Sequence, residues 1–201
     1  MMPQKNVCAI VLAAGRSSRM GMPKFSLMYD DATTFIEKIA DEYFRFGCND
    51  IVIVMNNESI LKYRQMNLRM PPNARVVLND HPEWARFYSL RRGADGLPDA
   101  SMAFVSNIDN PFISQETLAA LIDKSVSFDY VYPAFEGKGG HPFLISQTVL
   151  KDIREEKDCQ VHLRDFLSRY STCSCDVEEP AVLFNINTPE DYREAIKRLR
   201  K

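Results

Sequence analysis

The reactive side chains of this sequence concentrate in one stretch, Leu12-Ala13-Ala14-Gly15-Arg16-Ser17-Ser18-Arg19-Met20-Gly21-Met22-Pro23-Lys24. Three cations, Arg16, Arg19 and Lys24, stand close together, and the small residues at 13–15 let backbone N–H groups approach an anion. That combination suits a phosphate ligand. The spacing is not that of a Walker A loop, because five residues separate Gly15 from Gly21 and no Lys-Ser or Lys-Thr follows. Nor is it G-x-G-x-x-G, which removes the main support for a dinucleotide dehydrogenase. On spacing alone, a solvated basic turn behind a buried strand accounts for the segment at least as well.

Two further stretches carry chemistry. Asp109, in Ser106-Asn107-Ile108-Asp109-Asn110-Pro111, follows an apolar run, where a carboxylate either binds a cation or caps the loop before Pro111. Gly137-Lys138-Gly139-Gly140-His141-Pro142 gathers three of only 8 glycines in the chain. Average usage would supply roughly 14. Glycine that is both scarce and clustered marks places where backbone approaches something closely. No Ser-His-Asp or Cys-His arrangement is evident. The five cysteines (Cys8, Cys48, Cys159, Cys173, Cys175) lack zinc spacing and read as free, mostly packed thiols of a reducing compartment.

The elements that must position these residues alternate between strand and helix. Residues 7–12, 51–55, 74–78 and 102–106 are aliphatic or β-branched runs, and short strands at 130–132 and 143–145 flank the second glycine cluster. Thr34-Phe35-Ile36-Glu37 has capping-box spacing and opens a helix whose apolar stripe ends at Gly47. Helices are expected near 57–67, 84–95, from Ser114 through Ile122, 147–156 and 161–170, with an extended apolar stretch at Val182–Ile186. A last helix opens at Thr188-Pro189-Glu190-Asp191. The sum is a single α/β domain over 1–201, a Rossmann-like α/β/α sandwich with a mostly parallel sheet. In such sheets ligands bind at the carboxyl ends of strands, where the basic loop and Asp109 both fall.

Composition narrows the partners. With 25 Lys and Arg against 27 Asp and Glu, the formal charge of −2 excludes the broad basic surface of a nucleic-acid binder while leaving room for a local anion pocket. The run Val7–Ala14 reads as a buried strand rather than a signal peptide, and no run reaches the ~18 apolar residues of a membrane span. A soluble, cytoplasmic protein is expected. Its oligomeric state is not legible.

The segment L-A-A-G-R-S-S-R-M-G-M-P-K resembles the signature of the MobA-like NTP transferases, nucleotidyltransferases of GT-A-like fold that include the enzymes attaching CMP or GMP to molybdopterin. More distant relatives activate sugar phosphates and other phosphorylated alcohols. The resemblance continues through Asn79, Trp84 and Ser89-Leu90-Arg91-x-Gly93, the loop around Asp109, the segment Gly137–Pro142 and Asn185-Ile186-Asn187-Thr188-Pro189. It implies NMP transfer from an NTP to a phosphorylated small-molecule acceptor, with pyrophosphate leaving. Asp109 would ligate Mg2+, with Asn185 as second ligand. Lys24, with Arg16 and Arg19 beside it, would neutralise the triphosphate, and Leu12, Ala13, Ala14 and Gly15 would line the nucleotide. Asn56 and Asn79 would read the nucleoside or else cap their loops, and Ser89 would touch the nucleotide or merely sit on a helix surface.

Gly139, Gly140 and His141 would face the acceptor, His141 either touching it or bracing the loop. His81 and His162 read as structural, and Met20, Met22 and the aromatics of 35–44 as packing. L-A-A-G resembles the cytidylyl branch, whereas the guanylyl branch shows L-A-G-G, so the resemblance favours CTP. The chain departs from that branch where W-x-x-G-M becomes Trp84-Ala85-Arg86-Phe87-Tyr88, and where G-A-R before a Leu-Leu pair becomes Gln160–Leu167. Those departures leave molybdopterin or a smaller phosphorylated alcohol or sugar as acceptor. A nucleotide-binding regulator without transfer is the reading from another class.

Overall fold

The computed structural model describes residues 6–84, 86–98 and 102–199. Its centre is β1 (Val7–Leu12), all six of whose residues are buried. β1 lies parallel to β2 (Ile51–Met55) on one side and to β4 (Met102–Asn107) on the other. β3 (Ala74–Leu78) extends the parallel half beyond β2. On the far side β7 (Phe143–Ser146) pairs antiparallel with β4 and with β5 (Tyr130–Phe135). The order is β3-β2-β1-β4-β7-β5-β6, where β6 is Lys138–Gly139, and β8 (Thr172–Asp176) also pairs with β5.

Side chains alternate across the sheet, so each face of β1 feeds its own core. Val7, Ala9 and Val11 join a cluster with Ile36, Ile39 and Tyr43 of α1 (Phe35–Phe46) and Leu118 and Leu121 of α4 (Gln115–Lys124). Cys8, Ile10 and Leu12 join the opposite cluster with Phe87 and Leu90 of α3 (Arg86–Asp95), Val149 and Ile153 of α5 (Gln147–Glu155), and Phe166 of α6 (Leu163–Leu167). The α/β/α layering and the parallel strands 7–12, 51–55 and 74–78 match the sequence expectation. Among the described residues no helix is long and apolar enough to cross a membrane.

Local signals behave as expected. Thr34 and Glu37 form the capping box of α1, and Gly47 ends it at φ 91°. Asn56 caps α2 (Asn57–Gln65), and α7 (Pro189–Leu199) starts at its proline. Three expectations are corrected. Val182–Ile186 is not a strand, because Pro180–Leu183 winds into a 3-10 turn. The last strand comes earlier, at Thr172–Asp176, whose Thr-Cys-Ser-Cys-Asp sequence carries no aliphatic signal. The helix expected at 161–170 shrinks to Leu163–Leu167. Met20 packs as anticipated, but Met22 and Phe44 are 47% and 44% exposed.

The seat of α3 on the sheet depends on Gly93. A Cβ there would fall 2.4 Å from Cγ2 of Ile10 and 3.1 Å from Cγ2 of Val54. Gly93→Ala is therefore expected to destabilise the fold by about 1–3 kcal/mol through overpacking. Gly15→Ala, where a Cβ meets nothing within 4 Å, should change stability by no more than ~0.5 kcal/mol. Denaturant melts of the two variants beside wild type check this, and equal losses would refute it.

Candidate active site

The connections after the neighbouring strands β1 and β4 run in opposite directions along the sheet, from β1 to β2 on one flank and from β4 to β5 on the other. A crevice opens at such a switch point, outside the carboxyl ends of the two strands. The pairing runs to Leu12 opposite Asn107, and the Ile108 N–H donates to the Leu12 carbonyl at 3.1 Å. The basic loop and Asp109 therefore emerge side by side.

The loop is shaped from within. The N–H groups of Met20 and Gly21 donate to the Ser17 carbonyl at 2.9 and 3.2 Å, and the Lys24 N–H reaches Ser17 Oγ at 3.4 Å. Lys24 opens a single 3-10 turn, Lys24–Ser26. Its ammonium donates to Asp109 Oδ2 at 3.2 Å and to Asn187 Oδ1 at 2.8 Å. Asn187 is itself fixed, because its N–H and that of Thr188 both donate to Asp191 Oδ2 at 2.9 Å. Those two backbone donors hold the Asp191 carboxyl below its ordinary range.

The other oxygen of Asp109, Oδ1, is buried without a hydrogen-bond partner. A buried anionic oxygen left unpaired is costly unless something positive or protic meets it. Among the described residues no group of three or more His, Cys, Asp or Glu gathers here. This donor set fits Mg2+, which binds through one or two protein oxygens and leaves its remaining positions to phosphates and water.

Asp109 and Lys24 line a cavity of about 230 Å³ together with Leu12, Ala14, Gly15 and Ser89. Trp84, on its wall, stacks on His81 at 4.1 Å and meets Tyr88 edge-on at 4.8 Å. His81 thus supports the wall, in keeping with its structural reading.

Several expected residues act from behind. Asn56 Nδ2 donates to the Ala14 carbonyl at 2.9 Å while its Oδ1 caps α2. Asn79 Nδ2 donates to Ser89 Oγ at 2.9 Å and its Oδ1 accepts from the His81 N–H at 2.8 Å. Both asparagines are buried, so the loop-capping alternative describes them. Ala13 turns into the core beneath α1. Arg16 and Arg19 are exposed and do not line the cavity. Asn185 is exposed in a separate depression, so the amide brought to the Asp109–Lys24 pair is that of Asn187.

A second cavity, of about 1230 Å³, adjoins the first and is lined by Gly139, Gly140 and His141, together with Tyr130, Tyr132 and Tyr170. His162, expected to be structural, stands exposed on its rim beside Arg164. One carbonyl anchors its inner edge. Val182 O accepts from the His141 N–H at 2.9 Å and from Asn110 Nδ2 at 3.0 Å. A Cβ on Gly140 would lie 2.5 Å from that same oxygen, so only glycine allows this approach. Arg86, Asn107 and Asn187 are the site residues that sequence reasoning did not single out. Asn187 had a signal in the Asn185-x-Asn187 pair, whereas Arg86 and Asn107 had none beyond their neighbours.

The comparisons agree with this geometry. The MobA-like NTP transferase domain model matches residues 9–173, and the chain belongs to that family. It is 29% identical to the probable molybdenum cofactor guanylyltransferase of Natranaerobius thermophilus, over 98% of each chain. It is 23% identical to the molybdenum cofactor cytidylyltransferase of Escherichia coli, over 94% of this chain and 95% of the other. The structure of Rv0371c from Mycobacterium tuberculosis superposes with a TM-score of 0.78 at 25% identity, covering 97% of this chain and 100% of that one. A second structure of Rv0371c, in complex with manganese, gives a TM-score of 0.73 at 23% identity, covering 96% and 98%. The chain is accordingly a nucleotidyltransferase-type enzyme of GT-A-like fold.

His141 allows a test of this local geometry. Its Nε2 lies 2.9 Å from Asn107 Nδ2, and its Nδ1 is buried without a partner. Burial, reinforced by the Arg86 charge and opposed by Asp109, lowers its pKa to about 4. The folded state therefore resists a proton that the unfolded chain accepts near pH 6.5. Its contribution to stability is complete above about pH 6.5 and is lost as pH falls towards 4, by up to roughly 3 kcal/mol. His141→Gln should flatten that part of the stability–pH curve, and an NMR titration placing the imidazole near 6.5 would refute the assignment.

Proposed function

We propose that the chain transfers CMP from CTP to a phosphorylated small-molecule acceptor in a Mg2+-dependent reaction. The observation that carries this reading is the Asp109–Lys24–Asn187 cluster, with one Asp109 oxygen free, at the crevice between β1 and β4. An acceptor phosphate oxygen forms a bond to the α-phosphorus, the bond from that phosphorus to the bridging oxygen breaks, and its electron pair leaves on pyrophosphate. A phosphomonoester with a second pKa near 6 is largely dianionic at pH 7, so the attack requires no general base.

Catalysis then rests on position and charge. Lys24, fixed by two oxygen acceptors, keeps a third N–H for the triphosphate and the charge that develops on the leaving group. Asp109 would hold the metal, which when bound would neutralise phosphate charge. Ala14 lines the first cavity at the position where the guanylyl branch carries glycine, and this resemblance to the cytidylyl branch supports CTP. The names of the relatives, molybdenum cofactor guanylyl- and cytidylyltransferases, support a molybdenum-cofactor acceptor. The second cavity, of about 1230 Å³, has room for an acceptor of that class as well as for a smaller phosphorylated alcohol or sugar.

Pyrophosphate release with each of the four NTPs, Mg2+ and a panel of phosphorylated acceptors tests the reading. CTP should turn over fastest. Nucleotide-dependent thermal stabilisation without release from any acceptor would instead favour a binding regulator. Asp109→Asn should lower kcat by at least about 100-fold while leaving the unfolding curve near that of wild type; retained turnover would remove Asp109 from its role. Ala14→Gly should shift the CTP-to-GTP preference towards GTP by roughly tenfold, read from kcat/KM for the two nucleotides. An unchanged ratio would detach base choice from this position.

A further inference from the structure

Among the described residues, Arg86 is the one that lines both cavities. It begins α3, and its side chain enters no hydrogen bond or ion pair among the described residues. The remaining cations near the crevice are differently placed. Lys24 is engaged with Asp109 and Asn187. Arg16 and Arg19 are exposed and line neither cavity. Arg164 lines the second cavity without lining the first. Asp109 lines the first cavity, His141 the second and Arg86 both, so the three residues meet around the junction of the cavities.

Transfer requires two anions, the acceptor phosphate and the α-phosphate, to come within bonding reach despite their repulsion. A guanidinium shared by the two cavities offsets that repulsion and binds a phosphate through paired N–H donors. We infer that Arg86 binds the attacking phosphate of the acceptor and holds it at the junction, with the body of the acceptor lying in the tyrosine-lined cavity. This inference rests on the transfer reading above and adds to it a residue outside the nucleotide loop. The bonds made and broken are those already given, with Arg86 neither gaining nor losing a proton.

The test separates acceptor binding from nucleotide binding. Protein saturated with Mg2+ and the non-transferable α,β-methylene analogue of CTP is titrated with inorganic phosphate, and binding is followed by calorimetry. Arg86→Gln should weaken phosphate by at least tenfold and the analogue by less than twofold, with Arg86→Lys recovering part of the loss. Added guanidinium should restore phosphate binding to Arg86→Ala, which a merely structural role would not permit. The inference is overturned if wild type binds no phosphate, if Arg86→Gln leaves phosphate affinity within twofold, or if the analogue weakens as much as phosphate. Absence of turnover by wild type with every NTP and acceptor would count against the transfer reading, while the binding measurement would still decide whether Arg86 holds phosphate.

Discussion

The parallel pairing of β1 with β4 is the constraint on which the site depends. Leu12 faces Asn107 at the end of that ladder, so the basic loop and the Asp109 loop leave the sheet at one level. A slip of one residue would turn each side chain of a strand to the opposite face. Each face of β1 is packed into its own core, so such a slip would require both cores to be repacked. Hydrophobic packing thus fixes the separation of Lys24 and Asp109 before either charge acts. Their ion pair refines an encounter that the sheet has already arranged.

A second level of order comes from buried polar groups that never touch the cavities' interior. Asn56 ties the carbonyl of Ala14 to the start of α2. Asn79 orients Ser89 and the backbone of His81, and through His81 the face of Trp84. Asp191 holds Asn187 against Lys24. In each case a buried or partly buried side chain satisfies backbone or amide groups and so fixes a loop that would otherwise be free to move.

Much of this was legible in the sequence where the signal was local. Thr34 and Glu37 announced their helix, and the aliphatic runs announced the central strands. The loop from Leu12 to Lys24 and Asp109 stood out through a resemblance as well as through charge, and the fold brings them together on one cavity. The rest depends on approach in space. Thr172–Asp176 is a strand because β5 is there to pair with it, and its own residues carry little preference. Asn185 and Asn187 are equivalent in sequence, and only the backbone turn after Ile186, whose N–H donates to the Asp109 carbonyl, decides which amide reaches Lys24. Arg86 looked like a departure from a pattern until the two cavities met beside it.

The contact of Gly93 with Ile10 gives the central strand a leverage over chemistry. Gly93 lies seven residues beyond Arg86 on α3, which is roughly 10 Å along a helix axis. Any change in how the helix seats at that bare point is carried along its length to the first turn, where Arg86 sits. The aliphatic side chains of Ile10 and Val54, deep in the core, therefore share in setting where that turn lies between the two cavities. Part of the shape of the site is thus held from its interior.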